Sequence, residues 1–194
     1  ALMKETEGLV RFVSESLGSG EEIVYQGEKI DLASPWEKLS VHEAFFRFAD
    51  ISPEQAISEN RFEEILAFRI ESKLGLKKPL FLFDYPVELG ALARQKKADP
   101  KVAERFELYI SGMELCNAFS ELNDPLEQRK RFETELAARK KTGKTVYPMP
   151  EQFLKSLEEM PDSSGCAFGI DRLTMLFTDS SKIDDVVAFI PEEL

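Results

Sequence analysis

Positive charge is in deficit in this sequence: 25 Lys and Arg stand against 36 Asp and Glu, for a formal net charge of -11. Such a surface repels phosphodiester backbones, which are held by clustered Lys and Arg, so the chain is not expected to grip nucleic acid unaided. Histidine is nearly missing, with His42 the only one. It sits in Ser40-Val-His-Glu43, where Ser followed three residues later by Glu reads as a capping box at a helix start, a structural position. Ser-His-Asp catalysis and His-rich metal centres are therefore not expected. Cysteine is limited to Cys116 and Cys166, both in apolar strand-like runs without metal-ligand spacing, which predicts buried, reduced thiols. No apolar stretch reaches the ~18 residues of a membrane span and no signal peptide opens the chain, so a cytoplasmic protein with no membrane partner is expected.

What is present suffices for one domain: 194 residues, 43% of them hydrophobic, can bury a sizeable core. Leu2, Leu9, Val10, Phe12, Val13 and Leu17 predict an amphipathic opening helix that Gly18-Ser-Gly20 ends. Ile23 to Leu32 reads as a small hairpin about Gln26-Gly-Glu28, followed by a helix from Ser40, another after Ser52-Pro53 and a longer one from about Asn60 to Leu74. Pro79 to Pro86 is an apolar run too short for a helix and reads as a buried central strand. Arg105-Phe-Glu-Leu-Tyr-Ile110 and Met113 to Leu122 flank Ser111-Gly112 as a long antiparallel pair. Asp124-Pro125 caps a helix to about Lys141 with a solvated basic face, and a short helix spans Pro150 to Met160. A terminal helix or strand is expected over Ile183 to Ile190. Strands and helices mix without regular alternation, which predicts an α+β fold: an antiparallel sheet flanked by helices.

Three constellations carry chemistry. Gly165-Cys-Ala-Phe-Gly-Ile-Asp-Arg172 runs a small-residue strand into a helix; Gly165, Ala167 and Gly169 allow close backbone approach, and Arg172 offers a planar cation to phosphate oxygens or an adenine face. The same pattern also suits a plain strand-to-helix corner with a solvated arginine. With Ser111 and Gly112 as the turn, Tyr109 faces Glu114, and Glu107 and Glu114 share one side of the hairpin. Two carboxylates there suit Mg²⁺ bridging to a triphosphate, or simply a solvent-facing pair separated by strand twist. Asn117, Phe119 and Glu121, at i, i+2 and i+4, line one face and suit an elongated ligand carrying an ammonium group. Glu114 lies at an odd offset from that set, so one cavity for all of them requires a bulge between Leu115 and Ala118.

These segments resemble the catalytic domain of class II lysyl-tRNA synthetases: Arg105-Phe-Glu-Leu-Tyr, Glu114 through Asp124, and Gly165 through Phe177, which is similar to class II motif 3. Tyr85-Pro-Val-Glu88, Leu92-Ala-Arg94 and Ser34-Pro-Trp-Glu-Lys-Leu39 extend the likeness over most of the chain. The resemblance implies ATP and Mg²⁺ as cofactors, with Glu107, Leu108, Glu114, Gly169 and Arg172 on the nucleotide, Glu107 and Glu114 on the metal, and Arg172, Glu107 and Glu114 central to catalysis. Glu114, Asn117, Phe119, Glu121, Gly165 and Ala167 would then line the amino-acid pocket, and the reaction would form an aminoacyl adenylate and pyrophosphate.

Within that superfamily, Val102-Ala-Glu-Arg-Phe-Glu107, Pro161-Asp-Ser-Ser-Gly165 and Ala167 resemble the paralogue that attaches (R)-β-lysine to elongation factor P, whereas Tyr85-Pro-Val-Glu88 and Phe119-Ser-Glu121 resemble the enzymes that charge tRNA(Lys). The expectation is the elongation-factor branch, with the Ala167 methyl selecting the lysine isomer. No segment resembles motif 1, the dimer-forming element, or motif 2, whose arginine holds the α-phosphate. Residues 1–194 are thus expected to form the C-terminal half of a catalytic domain from a homodimeric parent, inactive alone. A lysine or nucleotide sensor without catalysis is the remaining reading.

Overall fold

The computed structural model describes residues 1–190. Its elements follow local chemistry. The amphipathic helix α1 (Leu2–Ser16) buries Val10 and gives way to Gly18 and Gly20, both at positive φ. Strands β1 (Glu22–Tyr25) and β2 (Glu28–Asp31) pair antiparallel across Gln26 and Gly27, both left-handed. After β3 (Glu37–Ser40), the Glu43 backbone N–H donates to the Ser40 hydroxyl at 3.2 Å and the Ser40 N–H donates to the Glu43 carboxylate at 2.9 Å. That complete capping box opens α2 (Val41–Ala49) and leaves His42 exposed, as its structural reading required.

Ser52 caps α3 (Pro53–Ser58), and α4 (Phe62–Ile65) follows. The long helix expected to Leu74 is instead broken: after α4 come a π-helical turn at Leu66–Ile70 and a 3-10 turn at Glu71–Lys73. Gly75 ends this stretch, as expected, at positive φ, where any side chain would strike the Tyr109 carbonyl. The Ser111 and Gly112 N–H groups donate to the carbonyls of Gly75 and Leu74 at 2.7 and 2.8 Å, so the hairpin tip is seated on this turn. The remaining elements are β4 (Leu80–Pro86), β5 (Val102–Ile110), β6 (Met113–Ser120), α5 (Pro125–Lys141), α6 (Glu151–Ser156), β7 (Ser164–Phe168) and α7 (Ile170–Thr178).

Five strands form the main sheet in the order β3-β4-β5-β6-β7. It is antiparallel except for β3 and β4, which run parallel. The exception follows from connectivity: β4 is reached from β3 through α2, α3 and α4, and a helical crossover returns a strand in the same direction. Phe81, Phe106, Leu108, Cys116 and Ala118 pack one face against α1, the small hairpin and α7. On the other face Leu80, Leu82, Tyr85 and Tyr109 pack under α2 and α4. Beyond them the same face is open, with Asn117 and Phe119 half-buried and Ala167 exposed. That uncovered part of the sheet is where a ligand can reach the strands.

Two smaller expectations change. Only a 3-10 turn at Ile183–Asp185 forms within 183–190, consistent with an Asp-Asp pair that favours neither helix nor strand. Cys116 is buried, Cys166 only half-buried, and both are free thiols. Among the described residues no helix is long and apolar enough to cross a membrane.

Candidate functional site

Two pairing irregularities build the site. Tyr109 pairs with Glu114 while Leu108 pairs with Cys116, so Leu115 is an inserted residue and the bulge required between Leu115 and Ala118 is present. Leu115 and Cys116 both join the core, which returns Asn117 and Phe119 to the side of Glu107 and Glu114. Asn117 lies opposite Glu107 on one side and Ala167 on the other; Phe119 lies between Arg105 and Gly165 in the same way. The second irregularity falls between Phe83 and Tyr85, where Asp84 adopts a φ of 57° and Tyr85 turns toward Glu107.

Glu107 is the centre of a closed network. Only 5% of it is exposed. The Tyr85 and Tyr109 hydroxyls donate to its Oε2 at 2.5 and 2.7 Å, and Arg105 donates to its Oε1 at 2.7 Å. Arg105 also donates to Asn117 Oδ1 at 3.2 Å and to the Leu89 carbonyl at 2.8 Å, with its guanidinium stacked 4.3 Å from the Tyr85 ring centre. Burial, followed by the Glu107 charge, pushes both tyrosine hydroxyls well above their ordinary range, so they stay protonated donors.

The opposite wall is open. Arg172, in the first turn of α7, donates to the Glu114 carbonyl at 2.7 Å and approaches its carboxylate at 3.5 Å. Their side chains are 46% and 35% exposed. Gly169 is the N-cap of α7, and its N–H donates to the Leu115 carbonyl at 2.8 Å, which joins the bulge to the helix start. Glu114, Asn117, Ala167, Gly169 and Arg172 line a cavity of about 350 Å³ at this point. Burial and then the Glu107 charge push the Glu114 carboxyl above its usual range, and the same causes act on Glu71. The Glu71 carboxylate lies 3.4 Å from the Tyr109 hydroxyl. Glu71, Glu107 and Glu114 thus stand close enough to influence one another, beside the guanidinium groups of Arg105 and Arg172.

These positions sort the expected residues. Phe119, Glu121 and Gly165 continue the face beyond the 350 Å³ cavity. A Cβ at Gly165 would stand 2.7 Å from Glu121 Oε1, so the glycine makes room for that carboxylate. Burial also raises the Glu121 carboxyl. Two residues depart from expectation. Leu108 points to the far face and is fully buried in the core, so its side chain cannot meet a nucleotide. Glu107 has both oxygens taken by protein donors and holds the wall rather than standing free for a metal. Among the described residues no group of three or more His, Cys, Asp or Glu is arranged to hold a metal ion. Glu114, half-exposed and with a hard oxygen donor only loosely engaged, fits a divalent cation.

Sequence reasoning missed Arg105, Tyr109, Tyr85 and Glu71. The first two were within reach, because they stand two residues either side of Glu107 in one strand. Tyr85 was hidden by the irregularity at Asp84, and Glu71 by its place on a helical turn remote in sequence.

A mixed sheet thus sets a bulged acidic hairpin against an arginine at the start of a strand-coupled helix. The chain belongs to the class II tRNA synthetases (D, K and N), whose family model matches residues 1–193. It is 38% identical over 221 residues to a lysine–tRNA ligase of Anaeromyxobacter sp. (strain K), covering 97% of this chain and 43% of that protein. A lysine–tRNA ligase of Prochlorococcus marinus (strain MIT 9303) is 41% identical over 210 residues, covering 97% of this chain and 41% of its own length. That of Moorella thermoacetica is 37% identical over 209 residues, covering 97% and 42% respectively. The chain therefore spans about two fifths of the length of the curated relatives it matches.

Proposed function

We propose that this chain is the part of a lysine–tRNA ligase catalytic domain that holds lysine and one side of ATP. In that reading the lysine carboxylate attacks the α-phosphorus of ATP, pyrophosphate leaves, and the lysyl group passes from the adenylate to tRNA(Lys). The observation that carries it is the convergence of Glu114, Asn117, Phe119, Glu121, Ala167 and Arg172 on one uncovered sheet face, backed by the names of the relatives. Residues 165–177 are read as the family's motif 3, residues 1–194 as a single partial domain, and the parent protein as a homodimer.

In this reading Arg172 binds the nucleotide through the guanidinium edge that Glu114 leaves free, and the N-terminus of α7 adds its partial positive charge. Bound Mg²⁺ supplies neutralisation of phosphate charge, and Glu114 is the carboxylate open to hold it. Asn117, fixed by Arg105, orients the amino acid, while Phe119 and Glu121 receive its ammonium end. Glu107 acts by locking Arg105, Tyr85 and Tyr109 in place, so the wall needs little reorganisation when the substrates bind.

The relatives support tRNA as acceptor rather than the elongation factor P expected from Ala167 and its neighbours. The protein-acceptor reading keeps one motivation, the exposed Ala167 methyl directly opposite Asn117. The test is calorimetric titration of lysine into the chain with ATP and Mg²⁺ present, and norleucine as the control lacking the ε-ammonium. Saturable lysine binding with much weaker norleucine binding is expected; equal binding of the two, or no saturation, would overturn the reading. Repeating the titration with (R)-β-lysine, then following tRNA charging beside mass gain on elongation factor P in the longer protein, separates the two acceptors.

A further inference from the structure

The two cysteines of the chain occupy neighbouring strands. Cys116 in β6 pairs with Phe168, and Cys166 in β7 pairs with Ala118, so the thiols lie diagonally on one face of the sheet. The Gly169 N–H donates to the Leu115 carbonyl, which makes Cys116 and Phe168 a non-hydrogen-bonded pair, the kind whose side chains stand closer. The two thiols reach hydrogen-bonding contact. Their surroundings differ: Cys116 is 2% exposed within the core, whereas Cys166 is half-buried and packs against the same cluster from outside. Burial, followed by the neighbouring thiol, pushes the Cys116 thiol above its ordinary range, so Cys116 is a poor first nucleophile and Cys166 is the sulfur that meets a reagent.

We propose that Cys116 and Cys166 form a dithiol that hydrogen peroxide closes to a disulfide, linking β6 to β7 behind the candidate site. In the first step Cys166 Sγ attacks one peroxide oxygen, the O–O bond breaks, and water leaves with the thiol proton, which gives a sulfenic acid. In the second, Cys116 Sγ attacks that sulfur, the S–O bond breaks, and a second water leaves with the Cys116 proton. The thiols together lose two electrons and two protons, and the peroxide is reduced to two waters. Because β7 ends the strand order and pairs on one side only, it has room for the small shift that a diagonal bridge requires. Asn117 and Ala167 alternate with the cysteines, pair directly and line the cavity on the opposite face, so the bridge fixes their spacing from behind. Closure depends on the thiols alone, whatever ligand that face receives.

The experiment is titration of the folded full chain with hydrogen peroxide, followed by denaturation, alkylation with iodoacetamide and mass spectrometry. With only two cysteines in the sequence, the expected result is a fall from two alkyl groups per chain to none. Peptide mapping should recover Cys116 joined to Cys166 within one chain, and dithiothreitol should restore both alkyl groups. Cys116→Ser should stop at the first step and leave a sulfenic acid on Cys166 that dimedone traps, while Cys166→Ser should keep Cys116 unreacted at the same peroxide dose. Retention of both alkyl groups, a disulfide between two chains, or closure only where denaturant has opened the sheet would overturn the proposal. These three outcomes are read on the unaltered chain, so the test stands even where a variant fails to fold.

Discussion

On the β5 side of the candidate site, both oxygens of Glu107 are engaged by Tyr85, Tyr109 and Arg105 before any ligand arrives. On the α7 side, Arg172 is nearly half exposed and meets Glu114 through one carbonyl bond and one long approach to the carboxylate. One wall is built with its polar groups satisfied, and the other keeps a cation and a carboxylate at the edge of a cavity. Removing part of the first should therefore be felt as lost stability, and removing part of the second as lost binding. Catalysis by positioning needs both: groups that do not move, and groups whose best partner is the substrate.

The largest expected effect is Glu107→Ala, which strands the Arg105 cation in a mostly buried place. A loss of about 3–5 kcal/mol is expected by chemical denaturation. A loss below about 1 kcal/mol would mean that this wall is no better ordered than the other. Arg172→Ala comes next and sharpens the contrast: stability should change by less than about 0.5 kcal/mol. ATP affinity should drop by about 1.5–3 kcal/mol in a calorimetric titration with Mg²⁺. Should stability drop as far as in Glu107→Ala, the distinction between the walls fails. Tyr85→Phe should cost about 1 kcal/mol, because Glu107 Oε2 keeps the Tyr109 donor and only one of two hydrogen bonds is lost.

The two walls also differ in how far their residues could be read in advance. The hairpin, its turn and the bulge were all legible, because one extra residue between Glu114 and Asn117 is the only way to place those side chains on a shared face. The glycine strand and its helix were legible from spacing. What escaped were contacts set by backbone irregularity elsewhere. Strict alternation along β4 puts Tyr85 on the face opposite Leu82; the left-handed Asp84 reverses that, and with it the donor set of Glu107. The parallel edge strand escaped because it depends on where a crossover of several helices returns, which no local pattern encodes. The donor set of Glu107 was hidden for a related reason: its neighbours in space are two tyrosines and an arginine, whose number and aim are tertiary facts.

The smallest effect is in the pH dependence, and it tests whether the open wall holds strained charge. Burial raises the carboxyls of Glu71, Glu114 and Glu121, and the Glu107 charge adds to the first two. For such groups the native state binds its proton more tightly than the unfolded chain. Their contribution is therefore complete below the ordinary carboxylate value of about 4.3 and is lost as pH rises through the raised native values. Groups such as Glu43, held low by the Ser40 hydroxyl and N–H, act oppositely, with stability lost only as pH falls through their lowered values. Between about pH 7 and about pH 5 the first set dominates, so the unfolding temperature should rise on acidification by a few degrees at most. Glu114→Gln, which removes one raised carboxyl without changing shape, should flatten that slope, whereas Glu43→Gln should leave it unchanged. A slope that keeps its steepness in Glu114→Gln would show that the open wall carries no strained charge, and the contrast with the Glu107 side would then rest on burial alone.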